Sequence, residues 1–533
     1  MATISFRQRA LALVMAGVLA SAPLVACGQR MQAGAPAEDV EMKLYEVTDG
    51  VAAEAEAYST NSYADTDDFP VDFNTEEYAA IDETGFVSVQ TKPLSTVSAD
   101  VDTASWCNVR RMVRQGYGLS TEHEDAIPTG AVRIEEMLNY FTYDYAAPEA
   151  GERFSITSHL GPCPWNPDTE LLTLGFATAP ETDTAEKGSN LVFLIDVSGS
   201  MDSADKLDLL KSSFEQLVKQ LDERDRVSIV TYASGEELVL EAAKGSDARK
   251  IMRAIRSLRA DGSTNGERGL ELAYEVAERN FIEGGVNRIV MASDGDLNVG
   301  MTSTSDLHDY VEKKRETGVY LSVLGFGSGN YKDDKMETLA DKGNGSYHYI
   351  DCEAEAERVF GERLCANLVP FADDVKVQAE FNPAQVKAYR LIGYENRGLA
   401  DEDFRDDAVD AGDVGPSAQF TVAYEVVRAS SALEVGGSGL KYQESAPTGS
   451  DEWLTATLRY RSFDDGEVHE QSVALGEDAW TEDPGEDWRF QAAVIELGML
   501  MRDSDYAGSS SLDDVRELAG ADRDGFLDVV DTL

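Results

Sequence analysis

The chain has 533 residues and a formal net charge of -53, from 99 acidic against 46 basic side chains. A surface of that sign repels nucleic acid and anionic lipid headgroups, which excludes polyanions as electrostatic partners. The length exceeds what one ordinary hydrophobic core organises and predicts two or three domains.

Residues 1–27 read as a signal peptide. Arg7 and Arg9 precede an apolar run over 10–22, and L-V-A-C follows at 24–27. The run is short for a transmembrane helix, and Pro23 with the small residues near its end favours cleavage. The tetrapeptide resembles a bacterial lipobox. That resemblance implies a lipoprotein in which Cys27 is lipidated and holds the chain to a membrane, since diacyl modification supplies the chains that stable anchoring needs. The expected location is the cell envelope, facing periplasm or exterior. Residues 28–74 are acidic and aperiodic and read as a disordered tether.

Residues 75–185 form an N-terminal flanking region, helices then strands. S-A-D-V-D-T-A-S-W at 98–106 predicts a strand leading into a helix with Asp102 or Thr103 at its N-cap. Asp100 and Asp102 read as structural acids at that junction. A second helix begins near 128–131 and turns Val132, Ile134, Met137, Leu138 and Phe141 to one apolar face. Residues 153–178 alternate as strands around the G-P-C-P-W-N-P turn at 161–167. Beyond Cys27, Cys352 and Cys365 flank a predicted helix about 20 Å long, out of disulfide reach. Cys107 with Cys163 is then the expected pair, free buried thiols being the alternative.

Across 186–369 strands and helices alternate, which predicts βαβ units on a parallel sheet. The expected strands are 191–196, 226–233, 288–292, 320–326 and 347–350, with 236–242 an antiparallel edge. L-V-F-L-I-D-V-S-G-S-M at 191–201 is a buried strand followed by a loop. Ligands of such sheets sit at the carboxyl ends of the strands. There Asp196, Ser198 and Ser200 offer hard oxygen donors, a set that suits Mg²⁺ or Mn²⁺. Leu207, Leu210, Phe214, Leu217 and Leu221 of the next helix form a packing stripe.

This D-x-S-x-S loop, with D-G-S-T-N at 261–265 and R-I-V-M-A-S-D-G-D-L-N-V-G at 288–300, resembles the metal-ion-dependent adhesion site of von Willebrand factor type A domains. The resemblance implies a metal site of Asp196, Ser198, Ser200, Thr264 and Asp294. The two serines would bind directly, the two aspartates supply charge, and Thr264 bind directly or through water depending on state; Asp296 and Asn298 would shape the rim. It implies Mg²⁺, with Mn²⁺ or Ca²⁺ as alternatives, and a protein ligand whose acidic residue completes the coordination shell. The fold class expected is α/β: a doubly wound, mostly parallel sheet (von Willebrand factor A, Rossmann-like) flanked by a β-sandwich-like region and a C-terminal helical segment. Longer stretches, among them A-V-R-I-E-E-M-L-N-Y-F, L-I-G-Y-E-N-R and W-R-F-Q-A-A-V, resemble a family of bacterial envelope lipoproteins. In these the type A domain lies between an N-terminal region and a C-terminal domain of unknown function.

Residues 370–485 read as β-rich, interrupted by an acidic loop at 401–413. A β-sandwich of 154–178 plus 375–475, with the type A domain inserted, is expected. Residues 486–533 read as C-terminal helices, the first with Phe490, Ala493, Val494, Leu497, Leu500 and Met501 on one face; Ser511 with Asp514 resembles a capping box. The chain has no G-x-S-x-G, H-E-x-x-H or P-loop motif, and its five histidines are scattered, so it is read as a non-enzyme. The expected function is binding of a protein partner through a divalent cation, for adhesion or envelope assembly. The alternatives are a structural envelope protein whose ion only stabilises its fold, and an enzyme accessory subunit.

Overall fold

The computed structural model describes residues 76–119, 125–180, 187–295, 304–436 and 449–533. The signal peptide, Cys27, the tether, Asp296 and Asn298 lie outside the described residues.

The type A region is a six-stranded sheet. Its order is Tyr347–Ile350, Tyr320–Phe326, Val286–Ser293, Ser189–Asp196, Arg226–Tyr232 and Glu236–Lys244. Every neighbouring pair is parallel except the last. Ser189–Asp196 lies in the interior because its apolar residues alternate between two cores. Val192 and Leu194 face the core that holds helices Gly266–Arg279 and Asp333–Lys342. Leu191, Phe193 and Ile195 face the core of helix Leu209–Gln220. A strand covered on both faces has no use for alternating polar residues, which is why it reads as one apolar run.

Two antiparallel sheets pack face to face beside it. One runs Val87–Ser88, Val386–Ile392, Gln419–Arg428, Glu170–Thr178, Phe154–Pro162. The other runs Gly398–Leu399, Leu94–Ser98, Ala372–Phe381, Leu454–Ser462, Val468–Leu475, with Gly412–Val414 also on Ala372–Phe381. They share one apolar core, in which Phe154 of the first sheet meets Tyr460 of the second at a centroid distance of 4.7 Å. Leu94–Ser98 belongs to the second sheet, against residues 376–380. The acidic stretch 401–413 is not a bare loop: it holds a short 3₁₀ turn at Asp401–Arg405 and the start of Gly412–Val414.

Helix Ala104–Arg114 begins after Thr103, whose side chain makes no capping bond and instead pairs with His348 Nδ1 at 3.1 Å. Ser511 caps helix Leu512–Ala519 by accepting from Asp514 N–H at 3.2 Å. Trp106 stacks on Phe526, and Phe141 and Phe490 pack edge-on to Phe526, so the first and last helices share one aromatic cluster. Cys107 and Cys163 are free thiols, which corrects the expected disulfide. Cys107 sits in reach of the Arg110 guanidinium, and Cys163 opens a turn closed by its N–H on Thr169 O at 3.1 Å. Burial pushes both thiols up.

Helix Glu486–Arg502 is buried nearly all round rather than along one stripe, which takes Gln491 and Glu496 inside with it. One Glu496 oxygen has no hydrogen-bond partner, and burial, with Asp514 adding to it, pushes the carboxyl up to about 8. A raised acid binds its proton in the folded chain first, so its contribution is full below about pH 4.5 and is lost as pH rises toward 8. Glu496→Gln is therefore expected to stabilise the protein by about 1–3 kcal/mol at pH 8, the cost of a buried group without a partner. It should change nothing near pH 4.5. Urea midpoints at the two pH values check this.

Candidate metal centre

The order of the six strands reverses beside Ser189–Asp196, and its carboxyl end opens where the loops after Ser189–Asp196 and Val286–Ser293 part, the switch-point position at which α/β sheets bind ligands. Asp196 is fully buried. Its Oδ1 accepts from Ser198 N–H at 2.8 Å and its Oδ2 from Ser293 Oγ at 3.1 Å. Burial pushes its carboxyl up to about 6, Asp294 adding to it, while the bonds from Ser198 and Ser293 hold it down. Ser198 and Ser200 hydroxyl oxygens lie 3.0 Å apart.

A second loop is stitched to the first by Asp261 N–H to Val197 O at 2.8 Å and Gly199 N–H to Gly262 O at 2.9 Å. It carries Thr264, buried, into the start of helix Gly266–Arg279. Gly262 has φ +83, and a Cβ there would meet Ser234 Oγ at 2.4 Å, so this crossing needs a glycine. The third loop places Asp294, fully buried, directly after Ser293, the residue bonded to Asp196. The structure thus gathers Asp196, Ser198 and Ser200 into one bonded cluster and brings the loops of Thr264 and Asp294 to it.

Two further residues touch this cluster, and sequence reasoning missed both. Lys206 Nζ donates to Asp294 Oδ2 at 3.0 Å and to Asn330 Oδ1 at 2.8 Å. Asn330 Nδ2 also donates to Asp294 Oδ2, at 3.2 Å. The Lys206 stem crosses Gly327, where a Cβ would come within 2.2 Å of Lys206 Cε. Lys206 sits in the middle of a stretch of π-helix, Ala204–Asp208, ahead of Leu209–Gln220. Its only signal in the sequence is a lysine inside an apolar helical stripe.

The donors fit a hard divalent cation. All are carboxylate or hydroxyl oxygens. An octahedron with bonds of about 2.1 Å has edges of about 3.0 Å, the separation of the two serine hydroxyls. A second cluster, Cys107, Asp351 and Glu355, also has ligand atoms within 4.8 Å of one another. A cation already serves it: Arg110 reaches Asp351 Oδ1 at 2.5 Å, Glu355 Oε2 at 3.1 Å and Cys107 Sγ at 3.6 Å.

Comparison with known proteins gives three family matches: von Willebrand factor over 72–173, von Willebrand factor type A domain over 190–362, and "Uncharacterized protein YfbK, C-terminal" over 366–528. The uncharacterized protein YfbK of Escherichia coli (strain K12) is 39% identical over 467 residues, 85% of this chain and 79% of that protein. Uncharacterized protein sll0103 of Synechocystis sp. is 30% identical over 194 residues, 36% of this chain and 45% of that one. Among solved structures, the von Willebrand factor type A protein from Catenulispora acidiphila is 16% identical, covering 69% of this chain and 86% of its own at a TM-score of 0.39. None of these names a catalytic activity.

Proposed function

Because the chain belongs to the YfbK family, with a von Willebrand factor type A domain followed by the YfbK C-terminal domain, we propose that it binds a protein partner through a divalent cation held at the three loops. The observation that carries this is the Ser198–Ser200 hydroxyl pair beside the buried carboxylates Asp196 and Asp294. Ser198, Ser200 and Thr264 would ligate, and Asp196 and Asp294 would supply the charge. Mg²⁺ matches the donor set, and Mn²⁺ or Ca²⁺ would use the same oxygens. The protein oxygens leave a coordination position for an acidic side chain of the partner. The overall charge of -53 opposes such a partner at long range, but salt screens that field beyond about 8 Å, so contact at the ion still binds.

The test is capture of envelope proteins by the full chain in Mg²⁺ and in EDTA, with calorimetric Mg²⁺ titration alongside. Ser200→Ala is expected to abolish Mg²⁺-dependent capture and weaken the ion by at least about tenfold, a loss of about 1.4 kcal/mol. A partner retained equally in EDTA and by Ser200→Ala sinks the reading.

One observation favours a second reading, in which the cluster serves only the fold: Lys206 already neutralises Asp294. Under it, EDTA leaves the melting temperature unchanged, because Lys206 already holds the charge of Asp294, and no partner depends on an ion.

We also propose that Cys27 anchors the chain to a membrane of the cell envelope, on the strength of L-V-A-C after an apolar run. Cys27→Ala should shift the protein from the membrane to the soluble fraction and abolish incorporation of a labelled fatty acid. Unchanged fractionation and labelling would exclude the anchor.

A further inference from the structure

The turn G-S-G-N-Y-K at 327–332 joins strand Tyr320–Phe326 to helix Asp333–Lys342. It is bonded on one side to the metal loops and on the other to the first described residues. Toward the metal loops stands Asn330. Its Nδ2 donates to Asp294 Oδ2 at 3.2 Å while its Oδ1 accepts from Lys206 Nζ at 2.8 Å. The amide cannot rotate without breaking both bonds. The backbone on either flank of Asn330 is bonded to residues 76–77. Gly329 N–H donates to Glu76 Oε1 at 2.7 Å, and Tyr331 O accepts from Glu77 N–H at 2.9 Å. Asp333 N–H then donates to Glu77 O at 3.1 Å, and Lys332 Nζ pairs with Glu77 Oε1 at 2.8 Å.

Residues 76–78 are themselves fastened to an element outside the type A domain. Arg111 of helix Ala104–Arg114 holds Glu76 with Nη1 on Oε1 at 3.1 Å and Nη2 on Oε2 at 3.0 Å, and Tyr78 OH donates to Glu76 Oε2 at 2.9 Å. The Arg111 and Glu76 side chains are 9% and 5% exposed. A two-pronged guanidinium–carboxylate pair shielded from water fixes the position of both groups. One line of bonds therefore runs from Arg111 through Glu76 and Gly329 to Asn330 and Asp294.

We propose that residues 76–78 act as a strap that lowers the cation affinity of the three-loop site by pinning Asn330 on Asp294. The strap acts on the cation site proposed above and so rests on that reading. An ion that takes Asp294 Oδ2 needs that oxygen clear of N–H groups, whose positive ends repel it. With Gly329 and Tyr331 fastened, the turn cannot carry Asn330 away, so the ion must turn the amide aside against its two bonds. With the strap released, the turn moves and the amide leaves Asp294 together with its backbone. The strapped and released forms then differ in ion affinity, and the ion shifts their balance by that difference alone. Bound Mg²⁺ must in turn loosen the strap by the factor by which the strap weakens Mg²⁺.

The experiment is calorimetric Mg²⁺ titration of the full chain, with hydrogen exchange at the strap read with and without Mg²⁺. Glu76→Ala removes the acceptor of Gly329 N–H and is expected to tighten Mg²⁺ at least about fivefold. It also strands Arg111, so Glu77→Pro keeps the test open if Glu76→Ala does not fold. Proline lacks the N–H that Tyr331 O accepts, and the Arg111–Glu76 pair stays. Glu77→Pro should tighten Mg²⁺ at least about fivefold as well. In an Asn330→Ala background each change should move the affinity by less than about twofold, since the transmitting amide is gone. In the wild type, saturating Mg²⁺ should speed exchange of the Glu77, Gly329 and Asp333 amides at least about fivefold. Wild type that takes up no Mg²⁺ sinks the cation reading and the strap with it. The strap alone is overturned if wild type binds Mg²⁺ and every strap variant that folds binds it no more tightly. Variants that tighten equally without Asn330, or exchange that Mg²⁺ leaves unchanged, overturn it too.

Discussion

Lys206→Met will tighten Mg²⁺ binding by about one to two orders of magnitude. The ammonium is buried and bonded to Asp294 Oδ2 at 3.0 Å. An ion that uses Asp294 must share it with this charge or displace it. A hydrogen bond to a charged group contributes about 1.5–3 kcal/mol, which converts to about 10–100-fold in affinity. Methionine keeps an unbranched apolar stem to lie over Gly327 while removing the competing charge. The same change should destabilise the protein in EDTA, because Asp294 then loses its counter-charge inside the fold. The two effects have opposite sign in one variant, so calorimetric titration with Mg²⁺ and a melting curve in EDTA separate them. Lys206→Met binding no tighter than wild type would show that ammonium and cation do not compete.

The type A sheet was legible because its signals are local. A run such as Leu191–Ile195 betrays a strand covered on both faces, and the spacing of Leu207, Leu210, Phe214 and Leu217 betrays the helix that covers one of them. The loop donors were legible for the same reason: Asp196, Ser198 and Ser200 lie within five residues. What stayed hidden depends on contacts between distant parts of the chain. Leu94–Ser98 has an ordinary strand pattern, and nothing near it names residues 376–380 as its neighbours. Lys206 is only a lysine inside an apolar helical stripe until the fold lays it against Asp294, 88 residues on. The missing disulfide is of the same kind, since composition places no cysteine beside another. Helix Glu486–Arg502 shows an apolar stripe, but that its other faces are also covered follows from helices Ile134–Tyr140 and Leu512–Ala519 and strand Glu170–Thr178 packing on it. Period alone does not distinguish a half-covered helix from one wholly enclosed.

Glu425→Ala is expected to cost about 3–5 kcal/mol of stability, the penalty for leaving a buried charge without its partner. Glu425 is 1% exposed, and its Oε2 accepts from Arg390 Nε at 3.1 Å and Nη2 at 2.9 Å. Its Oε1 accepts from Asn166 Nδ2 and Thr169 Oγ1, both at 2.8 Å. Arg390 in turn lies over the Tyr506 ring and reaches Met499 Sδ at 3.7 Å. One carboxylate therefore ties strands Gln419–Arg428 and Val386–Ile392 to the turn at 163–169 and, through Arg390, to helix Glu486–Arg502. Removing it orphans the guanidinium and two neutral donors at once. Replacing both partners, Glu425→Leu with Arg390→Met, should recover most of the loss, because an apolar pair of similar size carries no desolvation cost. The urea midpoint reads both variants, with an unchanged slope showing that the same surface unfolds. None of these residues contacts the three loops, so Mg²⁺ affinity should be untouched in the folded variants, because distant sites without shared partners act independently. A double variant as unstable as Glu425→Ala would mean that the cost lies in lost packing and the hydrogen bonds from Asn166 and Thr169, not in the stranded charge of Arg390.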